Sequence, residues 1–140
     1  MSLRLHHVGL VVPDLAAALT AYRSIPGAQI SEPFHVPVRN YRMAYVTLDN
    51  SLIELTQPLD DKSYAARFLA LNPTGGLNHL AFEVENLEEA RDSLLQQGAR
   101  PFGSTEPAPD RDGTRIVVLD AAATHGTLVE LREARPTAGD

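Results

Sequence analysis

An eleven-residue segment is written twice in this chain, and the duplication limits the available folds more than any other feature. Leu5-His6-His7-Val8-Gly9-Leu10-Val11-Val12-Pro13-Asp14-Leu15 is echoed by Leu77-Asn78-His79-Leu80-Ala81-Phe82-Glu83-Val84-Glu85-Asn86-Leu87, with His79 standing 72 positions after His7. Each copy alternates apolar residues with a period of two, as a strand with one buried face does. Each then reaches a residue that caps helices, Asp14 or Asn86. The apolar spacing beyond predicts a helix from about Leu15 to Ser24 and another from about Leu87 to Gln97. Pro26-Gly27 stops the first and Gly98 the second.

The repeat continues after the helices. Asn50-Ser51-Leu52-Ile53-Glu54-Leu55 matches Gly126-Thr127-Leu128-Val129-Glu130-Leu131, with the two glutamates 76 positions apart. A further apolar strand ending in Leu-Asp precedes each, Arg42 to Asp49 and Thr114 to Asp120, and the longer turn Ala121 to Gly126 absorbs the change in spacing. Between the halves, Ser63 followed by Ala66, Phe68, Leu69 and Leu71 predicts a short helix closed by Asn72-Pro73 and the turn Thr74-Gly75-Gly76. The order is βαβββ, linker, βαβββ. A module too small to bury its own sheet face must pack on a twin. The expectation is therefore an α+β fold, one cup-shaped domain over residues 1–140. Module one runs over about 4–57, the linker over about 58–74, module two over about 75–133, and residues 134–140 form a frayed tail. A ligand would sit on the shared concave surface.

Composition narrows the chemistry. The chain has no cysteine, which excludes thiolate nucleophiles, Cys-ligated zinc and iron–sulfur clusters. Twelve Lys and Arg against 18 Asp and Glu give a formal charge of −6, and no basic run tracks a phosphate backbone, so nucleic acid is excluded as a partner. The apolar run Val8-Gly9-Leu10-Val11-Val12 is too short to cross a bilayer and has no basic leader before it. A cytoplasmic protein without a membrane partner is expected.

Strand alternation then points to a site. Val8, Leu10 and Val12 share one face and His7 the other; Leu80, Phe82 and Val84 share one face and His79 the other. Ile53 with Leu55, and Val129 with Leu131, likewise oppose Glu54 and Glu130. The apolar faces must meet the helices, so His7, Glu54, His79 and Glu130 are placed together on the inner surface. Two carboxylates held close in a low-dielectric site need a cation or a proton. With two imidazoles they make a mixed N/O donor set for a divalent ion such as Zn²⁺, Ni²⁺, Co²⁺, Mn²⁺ or Fe²⁺, and an octahedral ion would keep two positions open. His6 is expected on the helix face as a structural residue, and His35 and His125 in turns at the surface. Arg42 and Arg115 are expected to be solvated strand ends rather than anion clamps.

These residues resemble the vicinal oxygen chelate superfamily of glyoxalases, bleomycin-resistance proteins and dioxygenases, from about Leu5 to Leu131. Within it the chain is most similar to the methylmalonyl-CoA epimerase family. The likeness rests on His7-Val8-Gly9-Leu10-Val11-Val12 with Asp14-Leu15, Ser31-Glu32-Pro33, Ile53-Glu54-Leu55 with Pro58-Leu59, Phe68-Leu69, Gly75-Gly76-Leu77-Asn78-His79 and Leu128-Val129-Glu130-Leu131. The resemblance implies metal ligands at His7, Glu54, His79 and Glu130, the four residues that alternation selects. It also implies an isomerase or epimerase that abstracts a proton alpha to a carbonyl while a divalent metal chelates two oxygens of the substrate, an acyl-CoA. Glu130 is the first choice of base and Glu54 the second. A homodimer is expected, as is common in the family.

Two positions depart from that pattern. Val38 stands where the epimerase family carries a glutamate serving as one of two opposed bases, and Asp110-Arg111-Asp112-Gly113 replaces a Gly-Ala-His-Gly loop. Three rival readings follow the same resemblance. One is glyoxalase I-type lactoylglutathione lyase activity, with His or Gln and Glu ligands on the same strands. Another is a non-catalytic protein that sequesters an antibiotic, although such members generally lack a complete ligand set. The third is an extradiol dioxygenase, a weaker match because those enzymes use two His and one Glu on iron and are usually longer.

Overall fold

The computed structural model describes residues 2–120, 122 and 124–135. Those residues form nine strands and three helices in two compact units, one of residues 7–78 and one of residues 2–6 with the described residues from 79 onward. Of the tail expected over 134–140, residues 136–140 lie outside the described residues; Ala134 donates its N–H to the Val84 carbonyl.

In the first unit the chain runs β1 (Arg4–Val11, within this unit from His7), α1 (Leu15–Arg23), β2 (Gln29–Ile30), β3 (Phe34–Val36), β4 (Tyr41–Thr47), β5 (Leu52–Pro58) and α2 (Tyr64–Leu71). The strands lie in the order β2-β4-β5-β1, with β3 also on β4. Only β1 and β5 are parallel, because α1 separates β1 from the antiparallel run that follows. Asp14 caps α1 by accepting the Ala17 N–H at 3.1 Å. Leu15 and Leu19, one turn apart on the helix, are buried with Val12, Ala44, Val46 and Leu55. Ser63 caps α2 in the expected way, accepting from Ala66 N–H.

The second unit repeats the plan. β6 (Gly76–Val84, here from His79), α3 (Leu87–Gln96), β7 (Ala108–Pro109), β8 (Arg115–Leu119) and β9 (Leu128–Glu133) follow in sequence, and the strands lie in the order β6-β9-β8-β7. β6 and β9 are parallel, as β1 and β5 are. Asn86 caps α3 through the Glu89 N–H at 3.0 Å. At the other end Ala99 N–H reaches the Leu94 carbonyl and Gly98 N–H the Leu95 carbonyl, a Schellman closure that needs the left-handed φ of 97° at Gly98. The core of this unit, Val84, Leu87, Val117, Leu119, Val129 and Leu131, occupies the repeat positions of the first core.

Two local features differ from the sequence expectation. His35 lies in β3, opposite Arg42, rather than in a turn; antiparallel pairing with β4 outweighs the flanking prolines. The partner expected for β2 in the second half shrinks to one bridge, Pro101 to Leu119, because proline cannot donate to a ladder.

The Gly75-Gly76 turn is pinned to the end of β1. A Cβ on Gly75 would lie 2.5 Å from the Val11 carbonyl oxygen, and its φ is +79°. Gly75→Ala is therefore expected to lose about 2–3 kcal/mol, combining left-handed strain with a backbone clash. Gly27→Ala, at φ +86° with nothing within 4 Å, should lose only about 1 kcal/mol. Thermal unfolding of the two variants checks the difference, and equal losses would contradict it.

Candidate metal and acid–base site

The first unit brings two of the four selected residues together. Glu54 of β5 pairs in register with Gly9 of β1, so His7 sits two positions before that partner on the same face. The His7 Nε2 and Glu54 Oε2 atoms approach to 2.5 Å, with the imidazole 3% and the carboxylate 14% exposed. This is closer than the 2.7–2.9 Å usual for a charged N–H to carboxylate bond. The contact holds one imidazole nitrogen and one carboxylate oxygen side by side in a largely buried position. Tyr45 of β4 lies directly across from Glu54, and its ring packs on Phe34 with centroids 5.3 Å apart.

The second unit sets the other two residues in the same relation. Glu130 of β9 pairs with Ala81 of β6, and His79 lies two positions before Ala81. Glu130 is buried at 9%. Its Oε2 accepts a hydrogen bond from Arg132 Nη1 at 3.0 Å. The alternation argument assigned the faces correctly in both units: Leu10, Val12, Ile53 and Leu55 pack in the first helix-side core, and Phe82, Val84, Val129 and Leu131 in the second.

Arg132 is the residue that the sequence reading passed over. Its side chain is 4% exposed and also donates from Nη1 to Asp110 Oδ2 at 2.7 Å and from Nη2 to Asp112 Oδ2 at 3.0 Å. Burial works against its charge, but the bonds to Asp110 and Glu130 prevail and hold its pKa above the ordinary value. Burial likewise pushes the Asp112 carboxyl up, yet the Thr114 hydrogen bonds and the Arg132 and Arg135 charges leave it below the usual range. A signal was present: Glu130 and Arg132 share a strand face by period two, and the acidic turn Asp110-Arg111-Asp112 demands a buried cation.

The remaining candidates separate cleanly. His6 Nε2 lies 3.9 Å from Glu83 Oε1. His125 sits in a turn with φ 59°. Arg115 opens β8 with its side chain 41% exposed, as expected of a solvated strand end, and it also pairs with Glu88 of α3 and Glu133 of β9. Val38 is 94% exposed and carries no ionisable group. Among the described residues no helix is long and apolar enough to cross a membrane.

Imidazole nitrogens with carboxylate oxygens suit a borderline divalent cation. Two βαβββ units with such donors on the first and last strand of each fit the superfamily to which the comparisons point. The family model described as the Glyoxalase/Bleomycin resistance protein/Dioxygenase superfamily matches residues 6–118, and the chain belongs to that superfamily. It is 42% identical to the ethylmalonyl-CoA/methylmalonyl-CoA epimerase of Cereibacter sphaeroides over 93% of this chain and 97% of that protein. It is 37% identical to the mitochondrial methylmalonyl-CoA epimerase of Homo sapiens, over 94% of this chain and 74% of that protein. The methylmalonyl-CoA epimerase structure from Mycobacterium tuberculosis superposes with a TM-score of 0.77 at 28% identity, covering 95% of this chain and 89% of that one.

Proposed function

We propose that this protein is an epimerase of methylmalonyl-type acyl-CoA thioesters, working by proton removal and return at the carbon alpha to the thioester carbonyl. The observation that carries the reading is the 42% identity to an ethylmalonyl-CoA/methylmalonyl-CoA epimerase across nearly the full length of both chains. The chemistry of the donor set supports it. His7, Glu54, His79 and Glu130 are the proposed ligands, and imidazole nitrogens with carboxylate oxygens are donors that suit a divalent cation. A divalent cation bound there supplies Lewis-acid stabilisation of negative charge developing on the substrate oxygen.

The chain's own residues move the proton. Glu130 takes the α-proton as general base, leaving a planar carbanion equivalent whose opposite face is open to reprotonation. With Val38 unable to serve, Glu54, carrying a proton at the outset, delivers it to that face; Glu130 ends protonated and Glu54 ionised, and proton exchange with solvent resets the pair. Nothing is consumed, so the reaction needs no co-reactant. The test is incubation with methylmalonyl-CoA in D₂O with added Co²⁺ or Mn²⁺, following the α-proton by NMR. Exchange at the α-carbon with interconversion of the epimers is expected. Absence of exchange, with conversion of a glutathione hemithioacetal in its place, would replace this reading by the lyase one.

A further inference from the structure

The strongest feature that the proposed reaction leaves unused is the buried guanidinium beside its base. Arg132 reaches three carboxylates at once: Glu130 at 3.0 Å, Asp110 at 2.7 Å and Asp112 at 3.0 Å. The two aspartates belong to the turn between β7 and β8, where Asp110 N–H bonds the Thr114 carbonyl and Gly113 N–H returns to the Asp110 carbonyl. Asp112 also accepts the Thr114 N–H. Backbone bonds and the Asp112 side chain fold the turn, and the Oδ2 atom of each aspartate is directed at Arg132.

Burying the Arg132 and Glu130 charges adds little net stability, because their desolvation offsets most of the attraction. The value of the pair lies in direction. The guanidinium is a rigid planar fork, and with Nη2 tied to Asp112 and Nη1 to Asp110 its plane is set by the turn. Nη1 then presents a donor to Glu130 Oε2 along one line, which selects one rotamer of a side chain that otherwise has several. A carboxylate that must both face a cation and reach a substrate proton tolerates little misplacement.

We propose that Arg132 is a positioning residue: anchored by Asp110 and Asp112, it holds the Glu130 carboxylate in the orientation that proton transfer requires. The inference rests on the reading of Glu130 as ligand and base. Groups in this role around a metal ligand change affinity or activity by about 10- to 100-fold when removed.

The test compares Arg132→Met, Arg132→Lys and Arg135→Met in the full chain. Three readouts are used: steady-state epimerisation, the affinity for Co²⁺ by calorimetry, and the visible d–d spectrum of the Co²⁺ protein. Arg132→Met is expected to lower kcat roughly 10- to 100-fold with KM changed less than about threefold, and to shift the d–d bands. Arg132→Lys keeps the charge but loses the fork, and should fall between that variant and the wild type in kcat and spectrum. Arg135→Met, which removes exposed bonds to Asp112 and to the Thr114 hydroxyl but none to Arg132 or Glu130, should match the wild type.

Wild-type kcat and spectrum in Arg132→Met would overturn the proposal. So would a loss of kcat that only tracks the unfolded fraction while the folded protein keeps its spectrum. If Arg132→Met does not fold, Arg132→Lys and Asp110→Asn decide by the same readouts, and unchanged values in both overturn it. A wild type that binds Co²⁺ but exchanges no α-proton refutes the epimerase reading alone, and the spectrum then decides for Arg132. A wild type that does neither refutes both.

Discussion

Glu130→Gln abolishes turnover, by at least about 10³-fold in kcat, while leaving binding of the acyl-CoA measurable. The amide is isosteric and can still accept the Arg132 hydrogen bond at its oxygen, so packing around the buried position changes little. It cannot accept a proton at neutral pH. General-base catalysis alone contributes about 10²–10⁴-fold, and loss of the anionic ligand adds to that. The measurement is single-turnover epimerisation with a parallel calorimetric titration of substrate. Unchanged turnover would remove Glu130 from the mechanism; lost binding with intact kcat would make it a binding residue only.

His7→Ala is the second large effect, and it acts on two levels. As a proposed ligand, His7 should take with it about 100-fold or more in Co²⁺ affinity, with epimerisation falling in step. The same change leaves the Glu54 carboxylate, 14% exposed, without the imidazole now 2.5 Å away. Taking one hydrogen-bonding partner from a largely buried carboxylate costs about 1–3 kcal/mol. Metal titration and thermal unfolding of one preparation separate the two. A variant with lowered stability but wild-type Co²⁺ affinity would make His7 a structural partner of Glu54 and nothing more.

These effects were in part legible before any coordinates. The duplication predicted both helices to within a residue or two and both capping residues, because caps and apolar period are local properties. His7, Glu54, His79 and Glu130 followed from alternation alone, since a period of two assigns a face with no knowledge of the neighbours. The errors arise where a neighbour decides. His35 entered a strand because β4 pairs with it, and the ion pairs that join Arg115, a solvated strand end as expected, to Glu88 and Glu133, residues 27 and 18 positions away, had no local signal. Arg132 was missed for the same reason: its partners Asp110 and Asp112 come from a turn that only the β8–β9 pairing brings back.

The repeat, its capping chemistry and the face on which each ionisable side chain lies were determined by the sequence alone, through interactions among residues a few positions apart. What the tertiary structure decided is lateral placement. The parallel β1–β5 register carries Glu54 to His7, and a folded turn delivers two aspartates to the arginine beside Glu130. Strand pairing joins residues tens of positions apart, and register across such a pairing is set by the packing of the whole core rather than by any local pattern.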